Sequence, residues 1–228
     1  MITSQREAID GPAGRIEFAL DRPAGPPLGW ALIGHPHPLY GGTLDNKVAA
    51  TLARAFAALG WIAVRPNFRG VGASAGVHDG GIGETQDFLF LVDALARAPA
   101  AGGPAPALAL AGFSFGSFVA ARAAAALAGR GRPARYLVLV GTAAGKWPVP
   151  PVDPTSLVIH GELDETIPLA DVLAWARGSE VPVVVLPGAD HFFHRRLAPL
   201  KRLVMQHLAG AAQLAAPRVP ATESGADE

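Results

Sequence analysis

Three short stretches of this 228-residue chain carry side chains that together could do nucleophilic chemistry. The first is Gly112-Phe113-Ser114-Phe115-Gly116, directly behind the apolar run 107–111 and directly before an alanine-rich segment. That spacing sets a serine on a tight strand-to-helix turn, where the backbone is strained and the hydroxyl rises above the sheet. Glycines on both sides leave the room that a Cβ would fill. The helix expected next turns its first N–H groups toward any negative charge that forms beside Ser114. The second stretch is Gly161-Glu162-Leu163-Asp164-Glu165-Thr166-Ile167-Pro168, and the third is Pro187-Gly188-Ala189-Asp190-His191-Phe192-Phe193. Each of these follows an apolar run of strand length.

A serine hydroxyl is a poor nucleophile until an imidazole can take its proton, and the imidazole needs a fixed carboxylate to hold the right tautomer. The chain supplies these types in the order serine, acid, histidine. Ser114 is read as nucleophile, His191 as general base and then acid, and Asp164 as the carboxylate that orients it. Competing readings remain. Asp164 could instead cap the helix that begins near Pro168, Asp153 and Glu162 are alternative acids, and His194 is an alternative base. His35-Pro36-His37 offers a rival chemistry, a metal site shared with His191 and His194. The prolines on both sides of His37 stiffen that loop and no nearby carboxylate cluster completes a metal shell, so neither metal nor cofactor is expected.

The elements that must position these groups follow from the apolar pattern. Alternation over 15–20 reads as a half-exposed strand, whereas 28–34, 61–64, 107–111, 136–140, 156–160 and 181–186 are the continuous apolar runs of strands covered on both faces. Helices are expected from a cap at Thr43 or Asp45 to about Leu59, over 84–97, 115–128 and 169–177, and from Phe192 to about Leu208 with an interruption at Pro199. Strands alternating with helices imply a single-domain α/β fold over 1–210, with a mostly parallel central sheet and helices on both faces. In such sheets the reactive groups gather at the carboxyl ends of the strands, so the loops after Gly34, Ala111, His160 and Leu186 should meet. From Ala211 to Glu228 periodicity is lost, and a disordered tail is expected.

From Leu28 to about Leu208 the chain resembles the α/β-hydrolase superfamily, in particular a small bacterial branch akin to dienelactone hydrolases. The resemblance rests on His-Pro-His-Pro-Leu-Tyr-Gly-Gly-Thr-Leu-Asp-Asn-Lys (35–47), Asn-Phe-Arg-Gly-Val-Gly-Ala-Ser (67–74), the Ser114 turn, Gly-Glu-Leu-Asp-Glu (161–165) and Gly-Ala-Asp-His-Phe-Phe (188–193). Dienelactone hydrolases use a cysteine nucleophile; this chain has no cysteine, so their lactone chemistry does not carry over. The resemblance implies an oxyanion hole formed by the N–H of Phe115 and an N–H from the loop after Gly34. Pro36 and Pro38 have none to give, which leaves His37 first, with Leu39 and Tyr40 behind it. Asn67, Arg69 and Asp87 are read as structural. Members of the superfamily usually insert a cap where this chain has only 142–155, with Trp147 and Pro148, Pro150, Pro151 and Pro154. No cap domain is expected, and the site should be open, walled by Tyr40, Phe115, Trp147 and Phe192 or Phe193.

Composition narrows the remainder. Lysines and arginines balance aspartates and glutamates at 19 each, which gives no electrostatic case for nucleic acid or an anionic membrane as partner. The first residues contain no apolar signal-type run, and Arg122 breaks the richest apolar stretch, so a cytoplasmic protein is expected. The function these readings imply is a serine esterase acting on small or short-chain carboxylic esters through an acyl-enzyme. A thioesterase, amidase or acyltransferase on the same residues, or a non-catalytic binding protein of this fold, are the alternatives. The expected partner is a small-molecule ester; a homo-oligomer is left open.

Overall fold

Residues whose side chains alternate between two apolar surroundings form the interior strands of the computed structural model, which describes residues 3–97 and 107–215. The strands are β1 (Thr3–Gly11), β2 (Gly14–Arg22), β3 (Gly29–Gly34), β4 (Trp61–Pro66), β5 (Ala107–Phe113), β6 (Tyr136–Val140), β7 (Leu157–Gly161) and β8 (Val183–Leu186). They make one sheet in the order β1-β2-β4-β3-β5-β6-β7-β8. β1 pairs antiparallel with β2 and β2 antiparallel with β4; the pairs from β4 to β8 are parallel. Leu32, Leu110, Leu139 and Val158 point to one core, and Ile33, Ala111, Val140 and Ile159 to the other. That double burial is why these runs are almost wholly apolar, with Arg65 and His160 the buried exceptions.

The helices are α1 (Lys47–Ala58), α2 (Ile82–Arg97), α3 (Phe115–Ala128), α4 (Leu169–Ser179) and α5 (Leu197–Ala215). α2, α3 and α4 cover the face of Leu110, whereas α1 and α5 cover the face of Ala111. Because β3 lies between β4 and β5, the chain winds outward from β3 to β4 and then crosses to the far side for β5. The loops leaving β3 and β5 therefore diverge to opposite faces and open a crevice at the carboxyl ends of these strands, where doubly wound sheets bind their ligands.

Some boundaries differ from the sequence reading, each for a local reason. β1 is an exposed edge strand bearing Arg6, Glu7 and Asp10, and it exists through its pairing with β2 rather than through apolar pattern. The cap of α1 is Asn46, not Thr43 or Asp45; its Oδ1 accepts from the N–H of Val48 at 2.9 Å and of Ala49 at 3.3 Å. The last helix starts at Leu197, because Phe193 and Arg195 take left-handed backbone conformations (φ 54° and 58°) that break any helix through 192–196. Pro199 does not interrupt it. It falls in the first turn, where the N–H has no intrahelical acceptor to lose. The sequence reading ended the domain at 210, but α5 continues through 211–215; the remainder of that tail, 216–228, lies outside the described residues. Among the described residues, no helix is long and apolar enough to cross a membrane.

Candidate active site

Ser114 stands between the last residue of β5 and the first of α3, with φ 55° and ψ −121°. A non-glycine residue there is strained by about 1–3 kcal/mol, so its surroundings must hold it. They do so by close approach. A Cβ on Gly112 would run into the carbonyl of Gly116, and one on Gly116 would run into the carbonyls of Gly34 and His35. The two glycines thus let α3 start against both β5 and β3. The Ser114 N–H donates to Val140 O at 2.9 Å, and its carbonyl accepts from the N–H of Ser117 at 2.8 Å.

The loop after β7 brings Asp164 and the loop after β8 brings His191 to this turn. The two loops are laced together: Glu162 N–H donates to Leu186 O at 3.1 Å and Leu163 N–H to Ala189 O at 2.9 Å. Asp164 Oδ1 accepts from the N–H groups of Thr166 (2.9 Å) and Ile167 (2.7 Å). Its Oδ2 faces His191 Nδ1 at 2.7 Å, and His191 Nε2 faces Ser114 Oγ at 3.0 Å. A carboxylate only accepts, so Nδ1 carries the imidazole proton and Nε2 is the bare acceptor for the serine hydroxyl. Burial pushes the Asp164 carboxyl up, but the hydrogen bonds from His191 and Ile167 and the nearby imidazoles outweigh it and hold the acid below its ordinary value.

The alternatives named from sequence are engaged elsewhere. Asp153 accepts from the backbone and hydroxyl of Thr155, just before β7, at the opposite end of the sheet. Glu162 holds the N–H of Gly188, and His194 sits exposed on Asp190 at 2.6 Å. His35 is no free ligand either. Its Nδ1–H donates to Pro36 O at 2.6 Å, its Nε2 accepts from the N–H of Phe68 at 3.0 Å, and burial pushes its pKa down to about 4.

On the other side of the crevice, His37 leads into a single 3-10 turn (Pro38–Tyr40). The N–H of Leu39 is taken by His37 Nδ1 and those of Tyr40 and Gly42 by the His37 carbonyl. Among the hydrogen bonds of the described residues, none uses the N–H of His37 or of Phe115. Phe115 is the first residue of α3, so a free N–H there is the ordinary condition of a helix start. Its ring is buried among Phe68, Phe118 and Trp147 and is not a wall, contrary to the sequence reading; Phe193 is likewise in the core. Tyr40, its ring tilted against His37 at 4.7 Å, and Phe192, 5.1 Å from the His191 ring, are exposed, and Trp147 is half-buried.

Two residues near this crevice went unread in the sequence. His78 packs 4.6 Å from the His37 ring and 5.2 Å from Phe115, and its Nδ1 lies 2.7 Å from Oε1 of the fully buried Glu84. His78 comes from the glycine-rich connection after β4 and Glu84 from the first turn of α2, and a six-residue spacing from loop to helix carries no periodic signal. Burial, then the charge of His78, push the His37 pKa down. Arg69 is structural, as expected, gripping Asp87 with two hydrogen bonds of 2.9 and 3.0 Å.

No family model matches the chain. Among solved structures, it is similar to an α/β serine hydrolase without a lid from Xanthomonas campestris, at 36% identity and a TM-score of 0.83, over 94% of this chain and 97% of that one. A Coxiella burnetii α/β serine hydrolase homologue is 34% identical with a TM-score of 0.80, over 91% and 99% of the two chains. An uncharacterised protein of Rickettsia prowazekii is 39% identical over 113 residues. That match covers 49% of this chain and 46% of the Rickettsia protein, about half the length of each.

Proposed function

Because this chain belongs to the α/β serine hydrolases without a lid, we propose that it cleaves carboxylic esters through an acyl-enzyme on Ser114. The observation that carries the reading is the unbroken line from Ser114 Oγ through His191 to Asp164. Ser114 Oγ attacks the ester carbonyl as His191 Nε2 takes its proton. Asp164 holds the resulting imidazolium in place and balances its charge. The developing oxyanion is received by the N–H groups of Phe115 and His37, each of the kind whose removal costs roughly 10²–10³ in rate. Collapse expels the alcohol, protonated from Nε2. Water then attacks the acyl-enzyme with His191 again as base, and the acid is released. Nothing beyond these side chains and N–H groups is called on.

The short connection between β6 and β7 leaves no insertion to sheath a long acyl chain, which supports small or short-chain acyl groups. Tyr40, Trp147 and Phe192 are the walls that substrate would meet. The test is labelling of the purified protein by a fluorophosphonate, followed by hydrolysis of esters of graded chain length. Wild type should be labelled, and Ser114→Ala and His191→Ala should not, with turnover falling by roughly 10⁴–10⁶. Folded wild-type protein that resists the probe would end the serine-nucleophile reading. Preference for long over short acyl chains would end the substrate half. Faster turnover of a matched thioester or amide, or transfer to an added alcohol in preference to water, would replace ester hydrolysis by that reaction.

A further inference from the structure

His160 is the fourth residue of β7, four positions before Asp164, and its side chain is fully buried. Its two ring nitrogens are treated unequally. Nε2 lies 2.9 Å from the carbonyl oxygen of Ile167, which can only accept, so Nε2 carries the proton. The same N–H lies 3.4 Å from Asp164 Oδ2, the oxygen that faces His191 at 2.7 Å. Nδ1, left as a bare lone pair, is buried with no hydrogen-bond partner.

An unpartnered buried acceptor is destabilising, and a leucine of similar size would fill much of the space without that nitrogen. As packing, the imidazole is a liability. Its favourable polar contacts are all at Nε2, and both lead to the acid. The Ile167 backbone is held at both its groups, its carbonyl by His160 and its N–H by Asp164 Oδ1 at 2.7 Å. Two hydrogen bonds through Ile167 therefore tie the histidine to the carboxylate across the loop 161–167, and the 3.4 Å approach of Nε2 to Asp164 Oδ2 brings the two side chains together directly.

We propose that His160 is a positioning residue for Asp164: its single N–H, shared between the Ile167 carbonyl and Asp164 Oδ2, keeps the carboxylate aimed at His191 and moderates its charge. The proposal rests on the acyl-enzyme reading above. Asp164 and His191 are the titratable groups that face His160. Burial, the largest influence on it, pushes its pKa down and so favours the neutral ring. A neutral ring has one proton to place, and the Ile167 carbonyl orients it. A second imidazolium, by contrast, would compete with His191 for the same carboxylate.

The test compares His160→Leu, which removes the donor, with His160→Gln, whose amide nitrogen can reach the place of Nε2. The readouts are the rate of Ser114 phosphonylation by a fluorophosphonate from pH 5 to 9, which needs no knowledge of the natural substrate, and the melting temperature. The leucine variant should melt close to wild type, since the orphaned Nδ1 goes while the Ile167 carbonyl loses its donor, yet react about tenfold or more slowly, the scale of a small displacement in a catalytic line. The midpoint of its acid limb should move up, because Asp164 Oδ2 then directs all its charge at His191. The glutamine variant should restore rate and midpoint. A leucine variant with wild-type rate and midpoint overturns the proposal, and so do two variants that slow alike and melt lower, which is the signature of a structural role only. If wild type itself resists the probe, the acyl-enzyme reading falls and takes this one with it.

Discussion

The two ends of the sheet differ in what they hold. Beyond the carboxyl ends of the strands lie Ser114, Phe193 and Arg195, three of the four non-glycine residues with positive φ among those described, and the line Ser114–His191–Asp164. Beyond the amino ends lies open space. A groove of about 960 Å³ runs between α3, α5 and the entries to β6 and β7, lined by Ala121, Ala125, Ala128, Tyr136, Pro151 and Leu214 among others. By volume the groove is conspicuous. Its alanines and prolines make space simply by being small, and space needs no compensation. The carboxyl end instead holds strained backbone and buried ionisable groups, each of which is stable only because a specific partner is in place. Concavity marks where something could fit; opposed donors and acceptors mark where a reaction could run.

The sharpest way to break this contrast is to exchange one carboxylate at each end. Asp164→Asn keeps the shape but removes the charge and lets the amide favour the wrong imidazole tautomer, so turnover should fall by roughly 10³–10⁴. Asp153→Asn, at the amino end, removes a carboxylate that serves only the Thr155 turn, and turnover should stay at the wild-type level. Rates on one short-chain ester decide it. A slow Asp153→Asn beside a fast Asp164→Asn would mean that the acid has been assigned to the wrong end.

His35 sharpens the contrast from within the carboxyl end, since it is buried beside the site yet bonded only to backbone. Its folded pKa of about 4 lies below the 6.5 of the unfolded chain. Between these values the unfolded chain binds a proton that the folded chain refuses. Stability from this group is therefore full above pH 6.5, falls as the pH drops toward 4, and levels off below. The integrated loss is on the order of 3 kcal/mol. Denaturant unfolding from pH 7 to 4 should show that slope in wild type and a flatter one in His35→Gln. An equal slope in both would assign the acid sensitivity to the other buried histidines.

What could be read from the residues, and what could not, follows the same division. Interior strands were legible because burial on both faces leaves few polar positions, Arg65 and His160 being exceptions, and α3 was legible because Ser114 starts it and Gly129 ends it. Ser114, Asp164 and His191 could be brought together on paper because a parallel sheet gathers the loops at one end. β1 was not legible: an edge strand with exposed Arg6, Glu7 and Asp10 has no apolar pattern to show. The start of α5 was misread since nothing in the types Phe and Arg announces a left-handed backbone at 193 and 195. Between His37, Leu39 and Tyr40 the choice of free N–H depended on a 3-10 turn whose hydrogen bonds to His37 take up the N–H groups of the other two. The pairing of His78 with Glu84 needed the loop's path, and the unequal nitrogens of His160 needed its burial.

The smallest expected effect concerns the groove itself. If it is only space, filling it should help the fold and leave the chemistry alone. Ala124 borders it on α3, where it is partly buried against the core. Ala124→Leu keeps helix propensity nearly constant and adds apolar surface facing the groove. Covering part of that surface is worth about 0.5–1 kcal/mol, or roughly 1–4 °C in a chain of this size. The melting temperature should rise by that amount, with ester turnover within about twofold of wild type, the span expected of sites too distant to couple. A large loss of turnover in a variant that melts no lower would tie the groove to the reaction at the other end of the sheet and erase the contrast.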